Sequence, residues 1–475
     1  MSRLHRAPPR IDPTVRPEGP SERLRVPQPL IKHRIPSGRG AMEQPNNTSD
    51  GDTALTPRFW FAVVVTGVAT GLLGDALMSL LFAFQHLAFG YHGSLQAGVE
   101  AASGARRVTV LCIAGAFGGP AWYLLRRWTT GQRSEVDDAV WHGDGSLSVL
   151  RSAGTSVISE IVVGLGASLG REAAPKLMGG VSGSVVAGWT GLSTAQRRLL
   201  VACGAGAGLA AVYDVPLGGA LFTAEILVGA ITLPVILPAL ACACVATATA
   251  WITLPGHATY LDIPAYHADA SLVVWAVVAG PLIGLLAVGY IRLVAWVSHH
   301  RMTGVKVVVA PLAAFAVLGV IGIRYPQLFG NGKDMAHQAF LGRGSLALFA
   351  ALFVLKPLVT SLCLGSGASG GLLTPVMSTG AVLGAFGGLA WSHLWSGSPV
   401  GAFAMIGAAA MIGAGMQAPL AALALVIELT HTGFDLMVPM MVATVLATLV
   451  ARTIDGYSIY SARLATRPVA AAGEL

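Results

Sequence analysis

From Phe59 to Ala451 the chain is a nearly continuous train of apolar segments, and this train limits the fold more than any other feature. The segments fall at about 59–83, 107–125, 151–168, 198–213, 215–252, 272–298, 306–323, 345–364, 371–395, 400–416, 418–430 and 436–451. An α-helix needs about 20 apolar residues to cross the hydrocarbon core of a bilayer, and several of these segments reach that length. Only 11% of the residues are charged, against 54% hydrophobic, and the mean hydropathy is +0.67. Soluble domains carry about 25% charge, so a cytoplasmic globular enzyme and a disordered protein are both excluded. The 59 glycines follow no collagen-like period and suit membrane helices, where small residues let backbones approach. The expectation is an all-α polytopic membrane protein surrounded by lipid.

Charge and cysteine usage narrow this further. The net charge of +7 sits largely at segment ends, as in Arg106–Arg107, Arg126–Arg127 and Arg197–Arg198, so it reads as a topology signal rather than a nucleic-acid footprint. The five cysteines lie in apolar surroundings without paired spacing, which argues against a disulfide framework or a metal site. Residues 1–56 are rich in Pro, Arg and Ser and lack the apolar core of a signal peptide. They read as a disordered, basic cytoplasmic extension able to touch anionic headgroups.

Several segments stop short at glycine, proline or a charge. Helices that end inside a bilayer are tolerated only where the freed backbone groups line a polar cavity. An internal repeat marks the breaks. Gly206-Ala207-Gly208 precedes Pro216-Leu217 and Glu225, and Gly413-Ala414-Gly415 precedes Pro419-Leu420 and Glu428, the glutamate following the proline by nine residues in both copies. Upstream of each lies a glycine-rich break closed by proline, at Gly170–Pro175 and at Gly370–Pro375. Matched breaks in two halves point to a transport site at the repeat interface. The halves are expected at about 57–253 and 270–465, with a short tail over 466–475.

Charges within the train are few: Asp75, Glu160, Arg171, Glu172, Lys176, Glu225, Lys356 and Glu428. Each is costly in hydrocarbon and is either functional or structurally paired. Glu172 stands out because it opens a helix after the glycine-rich stretch 164–170. A helix start presents free N–H groups and the positive end of the helix dipole, which together form an anion site. A carboxylate there can cap its own helix, or it can fill the anion site itself and vacate it when protonated. The second break presents the N–H groups of Leu372, Leu373 and Thr374 ahead of Pro375. Two helix starts aimed at one place would hold a small anion without a full positive charge, so that it could still leave.

With these motifs in order, the chain resembles the CLC family of chloride channels and chloride/proton antiporters over roughly residues 59–467. Gly170–Gly180 resembles the family's G-[KR]-E-G-P segment, Gly367–Pro375 its G-x-F-x-P segment, and Gly456–Leu464 its final membrane helix. Residues 198–225 follow the family pattern almost without gaps. The resemblance implies a CLC-type fold of two repeated halves with broken, tilted helices, and a homodimer with one pore per subunit. The transported species would be chloride or a similar monovalent anion, with protons if transport is coupled. Glu172 matches the external gate and proton acceptor, Leu372 and Leu373 the backbone donors to the central anion, and Tyr460 its hydroxyl donor. Gly170, Arg171, Ala173 and Thr374 fall within the same anion-binding motifs. A multi-pass protein of the cell inner membrane is implied, with both termini cytoplasmic.

Three departures qualify the resemblance. The family's G-S-G-x-P loop, which supplies a serine to the anion, is replaced by Thr130-Gly131-Gln132-Arg133-Ser134, so Gly131 takes the serine position and Ser134 or Arg133 becomes the substitute. After Glu172 the usual Gly-Pro becomes Ala173-Ala174, followed by Pro175 and Lys176; Arg133 and Lys176 thus add positive charge near the pore. The acid that many antiporters carry on the inner side is Ile226 here, which leaves Glu225 as the candidate inner proton site. Coupled exchange is favoured because Glu172 is retained, and a passive gated channel is the alternative. The Gly367–Gly371 stretch also fits the G-x-S-x-G pattern of a rhomboid-like intramembrane serine protease around Ser369. That chemistry needs a histidine base, and neither His393 nor His431 lies in a matching motif. No cofactor or metal motif is present.

Overall fold

The computed structural model describes residues 55–90, 93–254 and 256–464. The basic extension read over 1–56, apart from Leu55 and Thr56, and the tail over 466–475 lie outside the described residues. Among the described residues seventeen α-helices follow one another: α1 (Pro57–Phe89), α2 (Leu95–Ala101), α3 (Gly104–Trp128), α4 (Val136–Trp141), α5 (Val149–Gly164), α6 (Ala173–Trp189), α7 (Thr194–Tyr213), α8 (Pro216–Phe222), α9 (Leu233–Ala250), α10 (Ala270–His299), α11 (Ala310–Arg324), α12 (Lys333–Phe340), α13 (Leu346–Gly365), α14 (Leu373–Trp391), α15 (Val400–Met416), α16 (Pro419–Thr430) and α17 (Met437–Ile454). Eight helical stretches among the described residues are long and apolar enough to cross a membrane. Extended pairing among the described residues is confined to one antiparallel bridge between Gly170 and Gly371.

Local chemistry sets the breaks. The α5 chain turns at Gly166 (φ +105°) and the α13 chain at Gly367 (φ +96°), conformations that a Cβ would strain, and each enters a short extended stretch before the next helix. Helix α7 ends on Asp214 and α15 on Gln417, both left-handed at φ 57°, and proline starts a new helix two residues later in each case. The sequence segment 215–252 is therefore not one helix. It divides into α8, a π-helical turn at Thr223–Val228, and α9.

The glutamates of the repeated motif are exchanged between its two copies. Glu225 accepts from the N–H groups of Leu420 (3.2 Å) and Ala421 (2.6 Å) at the start of α16. Glu428 accepts from Leu217 (3.0 Å) and Gly218 (2.6 Å) at the start of α8. Each carboxylate satisfies otherwise orphaned donors of the other copy's helix, so the pair ties the two motifs together at two points.

Helix α6 is absent from the apolar segments because its face is built of glycine, alanine and serine. It is buried in protein rather than in lipid, and it packs on α7 at contact distance. A Cβ on Gly179 would lie 2.0 Å from the Gly204 carbonyl oxygen, and one on Gly204 2.1 Å from that of Gly179. Gly204→Ala should cost about 1–3 kcal/mol of stability through overpacking, seen as a lower melting temperature in detergent. Gly188→Ala on the facing helix α6, where a Cβ meets no atom within 4 Å, should not lower the melt. Equal melts for the two variants would contradict the close crossing.

Candidate functional site

The two helix breaks converge. Gly170 and Gly371 exchange both of their backbone hydrogen bonds at 2.8 Å, which clamps the strand before α6 against the strand before α14. Glu172 occupies the first cap position of α6, yet its carboxylate makes no cap there. It reaches across to α14 instead. Oε1 accepts from the N–H of Leu373 at 2.8 Å and more weakly from that of Thr374 at 3.4 Å. Oε2 accepts from the Thr374 hydroxyl at 3.1 Å and the Tyr213 hydroxyl at 3.3 Å. Glu172 is 3% exposed, so a carboxylate shielded from water is held by four donors and the N-terminal end of a helix. Both glycines of the clamp are needed at this point, since a Cβ on either would lie 2.1 Å from Oε1.

Tyr213 and Asn331 belong to this group although no motif announced them. The Tyr213 hydroxyl lies 2.8 Å from the Thr374 hydroxyl and accepts from the Asn331 amide at 3.3 Å. One signal exists in the sequence: at the same distance ahead of the repeated proline, the second copy carries Met416 where the first carries Tyr213. The Arg171 guanidinium lies over the Tyr213 ring, 4.8 Å from its centroid, and 5.8 Å from that of Phe82. Arg171, Asn331 and Lys333 line an open cavity of about 320 Å³ that also touches Phe82, Asp334 and His337. The cavity, where Arg171 and Lys333 face Asp262 and Asp334, thus adjoins the hydrogen-bonded group around Glu172 through Arg171 and Asn331.

The remaining candidates separate into four places. Leu372 caps α14, buried beside Leu373, and Ala173 begins α6 next to Glu172. Tyr460 is buried at 7% exposure, edge-on to Phe222 with ring centroids 5.9 Å apart. The Lys176 ammonium lies 4.3 Å from the centroid of the Tyr460 ring and 3.0 Å from both oxygens of Asp137. Gly131, Arg133 and Ser134 lie elsewhere, in a turn where Gly131 has φ +78°. Arg133 pairs at long range with Asp138 (3.6 Å) and Asp144 (3.9 Å), and Ser134 accepts from Arg151 at 3.1 Å. Among the described residues, none of these contacts reaches the Glu172 group. Ile226 is buried in the π-helical turn, and Glu225 is committed to the start of α16.

Two other charges have structural explanations. Lys356 donates to the Ser168 hydroxyl (2.8 Å) and the Gly330 carbonyl (2.9 Å), pinning the first break. Arg126 donates to the Gly367 carbonyl (2.6 Å) and to the Ser369 hydroxyl (3.4 Å) in the second break. The serine of the G-x-S-x-G pattern therefore lies against a cation, where serine hydrolysis would require a base.

Comparison with known proteins agrees with this geometry. The family model described as "Voltage gated chloride channel" matches residues 115–452, well over half of the chain. The chain belongs to the voltage-gated chloride channel (CLC) family. A putative chloride channel protein, ClcB-like, from Ralstonia nicotianae is 30% identical over 347 residues, 69% of this chain and 78% of the relative. The H(+)/Cl(-) exchange transporter ClcA of Yersinia pestis is 29% identical over 314 residues, and the match spans 65% of that relative, slightly under two thirds. Among solved structures, a slow cyanobacterial Cl-/H+ antiporter superposes with a TM-score of 0.75 at 23% identity, covering 86% of this chain and 97% of the other. A CLC-type fluoride/proton antiporter superposes with a TM-score of 0.68 at 18% identity, covering 85% and 97%. The fold is thus the all-helical CLC fold, and the chain is an integral, multi-pass membrane protein of a transporter and channel family.

Proposed function

We propose that this CLC chain exchanges a small monovalent anion, chloride first, for protons across the cell inner membrane. In this reading Glu172 is the external gate and proton carrier. Leu372, Leu373, Thr374, Gly170, Arg171, Ala173 and Tyr460 form the anion path. One observation supports it above the others: the Glu172 carboxylate is seated on the α14 N–H groups and on two hydroxyls, a set of donors that would receive an anion equally well. A proton on Glu172 removes the charge that holds it there, so anion and carboxylate take turns. The names of the exchange transporter and of the two antiporters point the same way, while that of the ClcB-like relative is a channel's. The proposal includes a homodimer with one pore per subunit, repeat halves over about 57–253 and 270–465, and cytoplasmic termini.

The passive gated channel is the second reading, and Ile226 favours it, since an apolar residue stands where an inner acid would relay protons. One experiment separates the two. Liposomes containing the purified chain are placed under an imposed chloride gradient, and proton movement is recorded. Uphill proton movement supports exchange; chloride flux without it overturns exchange in favour of the channel.

Lys333 adds a pH-dependent expectation. It starts α12, outside the eight spans, and burial, followed by the nearby Arg171 guanidinium, pushes its ammonium down to about 8. It is cationic below that pH and neutral above it, so the cavity loses a positive charge as the pH rises. Anion uptake from the cavity side should fall as the pH on that side is raised through about 8, and Lys333→Gln should flatten the step. An unchanged profile in the variant would remove Lys333 from the path.

A further inference from the structure

Lys176 lies one turn along α6 from Glu172, and its surroundings are unusual for a lysine. Its side chain is 12% exposed and that of Asp137 10%. The two are 3.0 Å apart although 39 residues separate them in sequence. The ammonium lies over the face of Tyr460 and 5.6 Å from the ring centroid of Phe222. Helix α4, which carries Asp137, also packs on the π-helical turn holding Ile226, where the Trp141 indole N–H donates to the Leu227 carbonyl at 2.8 Å.

Donor counting shows what is missing. An ammonium has three N–H groups, and Asp137 is the only side-chain hydrogen-bond acceptor of Lys176 among the described residues. The Tyr460 hydroxyl, on a side chain more than nine-tenths buried, has no protein acceptor among the described residues. The Lys176 ammonium, held by both oxygens of Asp137, stands over the face of the same ring. A small anion accepting from that O–H would lie within the field of the ammonium. Stability does not require the charges, because a buried ion pair is often no better than apolar packing.

We propose that Lys176 is a side-chain donor to the anion bound at Tyr460, standing in for the serine that the turn at 130–134 lacks. Asp137 is its counter-charge. An unpaired ammonium in this low-dielectric position would hold an anion too tightly for turnover, and the carboxylate cancels most of that attraction at longer range. The ligand class is a halide or nitrate. The inference rests on the anion-transport reading and adds to it a cation–carboxylate pair as the element that sets affinity.

The pair makes opposite-signed expectations. Chloride and nitrate are titrated calorimetrically into the detergent-purified full chain, and efflux of the same anions is measured in liposomes. Lys176→Met should weaken binding by roughly tenfold or more, the loss of one charge-assisted donor. Asp137→Asn should tighten binding several-fold and slow efflux. The double variant should behave like Lys176→Met, and Lys176→Arg should restore much of the affinity if the methionine variant folds poorly. A purely structural pair would shift both single variants in the same direction, and that result overturns the inference. So does unchanged affinity in Lys176→Met while the wild type binds. A wild type that neither binds nor carries either anion overturns the transport reading itself.

Discussion

Glu172→Gln should abolish proton movement while anion flux continues. The glutamine amide has nearly the same shape, so its oxygen can still accept from the N–H groups of Leu373 and Thr374. Its NH₂ group cannot accept from the hydroxyls of Thr374 and Tyr213, which now face a donor. The hydrogen bonds that remain become neutral ones, roughly half as strong as charge-assisted ones. The side chain therefore competes less well with an anion for the α14 N-terminus. It also has no ionisable group, so it cannot pick up a proton on one side and release it on the other. Chloride efflux from liposomes should become independent of pH at this step, and a chloride gradient should no longer drive protons uphill. Persistent coupling in this variant would remove Glu172 as the carrier.

The parts of this arrangement differ in how well the sequence revealed them, and the difference follows from the range of the interactions. Long helices facing lipid are set by local composition, so α1, α3, α10 and α13 are visible as apolar runs with nearly correct limits. The start of helix α6 was legible at Glu172, but its length was not, because a helix enclosed by protein needs small residues for close crossings rather than a lipid-facing apolar surface. Glu172, Leu373 and Thr374 were legible because the glycine and proline breaks around them are local. Tyr213 and Asn331 were not, since Tyr213 meets Glu172 across 41 residues and Thr374 across 161, and Asn331 meets Tyr213 across 118, all through tertiary folding. The same holds for Asp137, whose importance depends on Lys176. Glu225 was legible as a buried acid but not as a cap, because its partners begin α16, nearly two hundred residues away. Spacing locates charges within the membrane, while partner identity decides whether they work or merely hold.

Gly371→Ala should displace the Glu172 gate without removing it. The new Cβ would lie 2.1 Å from Oε1, 2.4 Å from Cδ and 2.9 Å from Cγ of Glu172, far inside contact distance. The backbone of Gly371 is outside the left-handed region, so alanine itself fits the chain. The obstacle is the far end of a flexible side chain, and it yields more cheaply than the Gly170–Gly371 clamp, which is held by two backbone hydrogen bonds. The carboxylate then loses the Leu373 N–H and the Thr374 hydroxyl, each a hydrogen bond to a charged group worth about 1.5–3 kcal/mol, and the α14 N-terminus is left to the anion. Anion flux should rise several-fold at neutral pH, and fewer protons should move per anion, since gate and anion no longer exchange places. Melting should stay close to wild type, which distinguishes an expelled gate from a broken clamp. Wild-type coupling in a well-folded Gly371→Ala variant would mean that the carboxylate tolerates the methyl group, and the seat on α14 would then be wider than these distances allow.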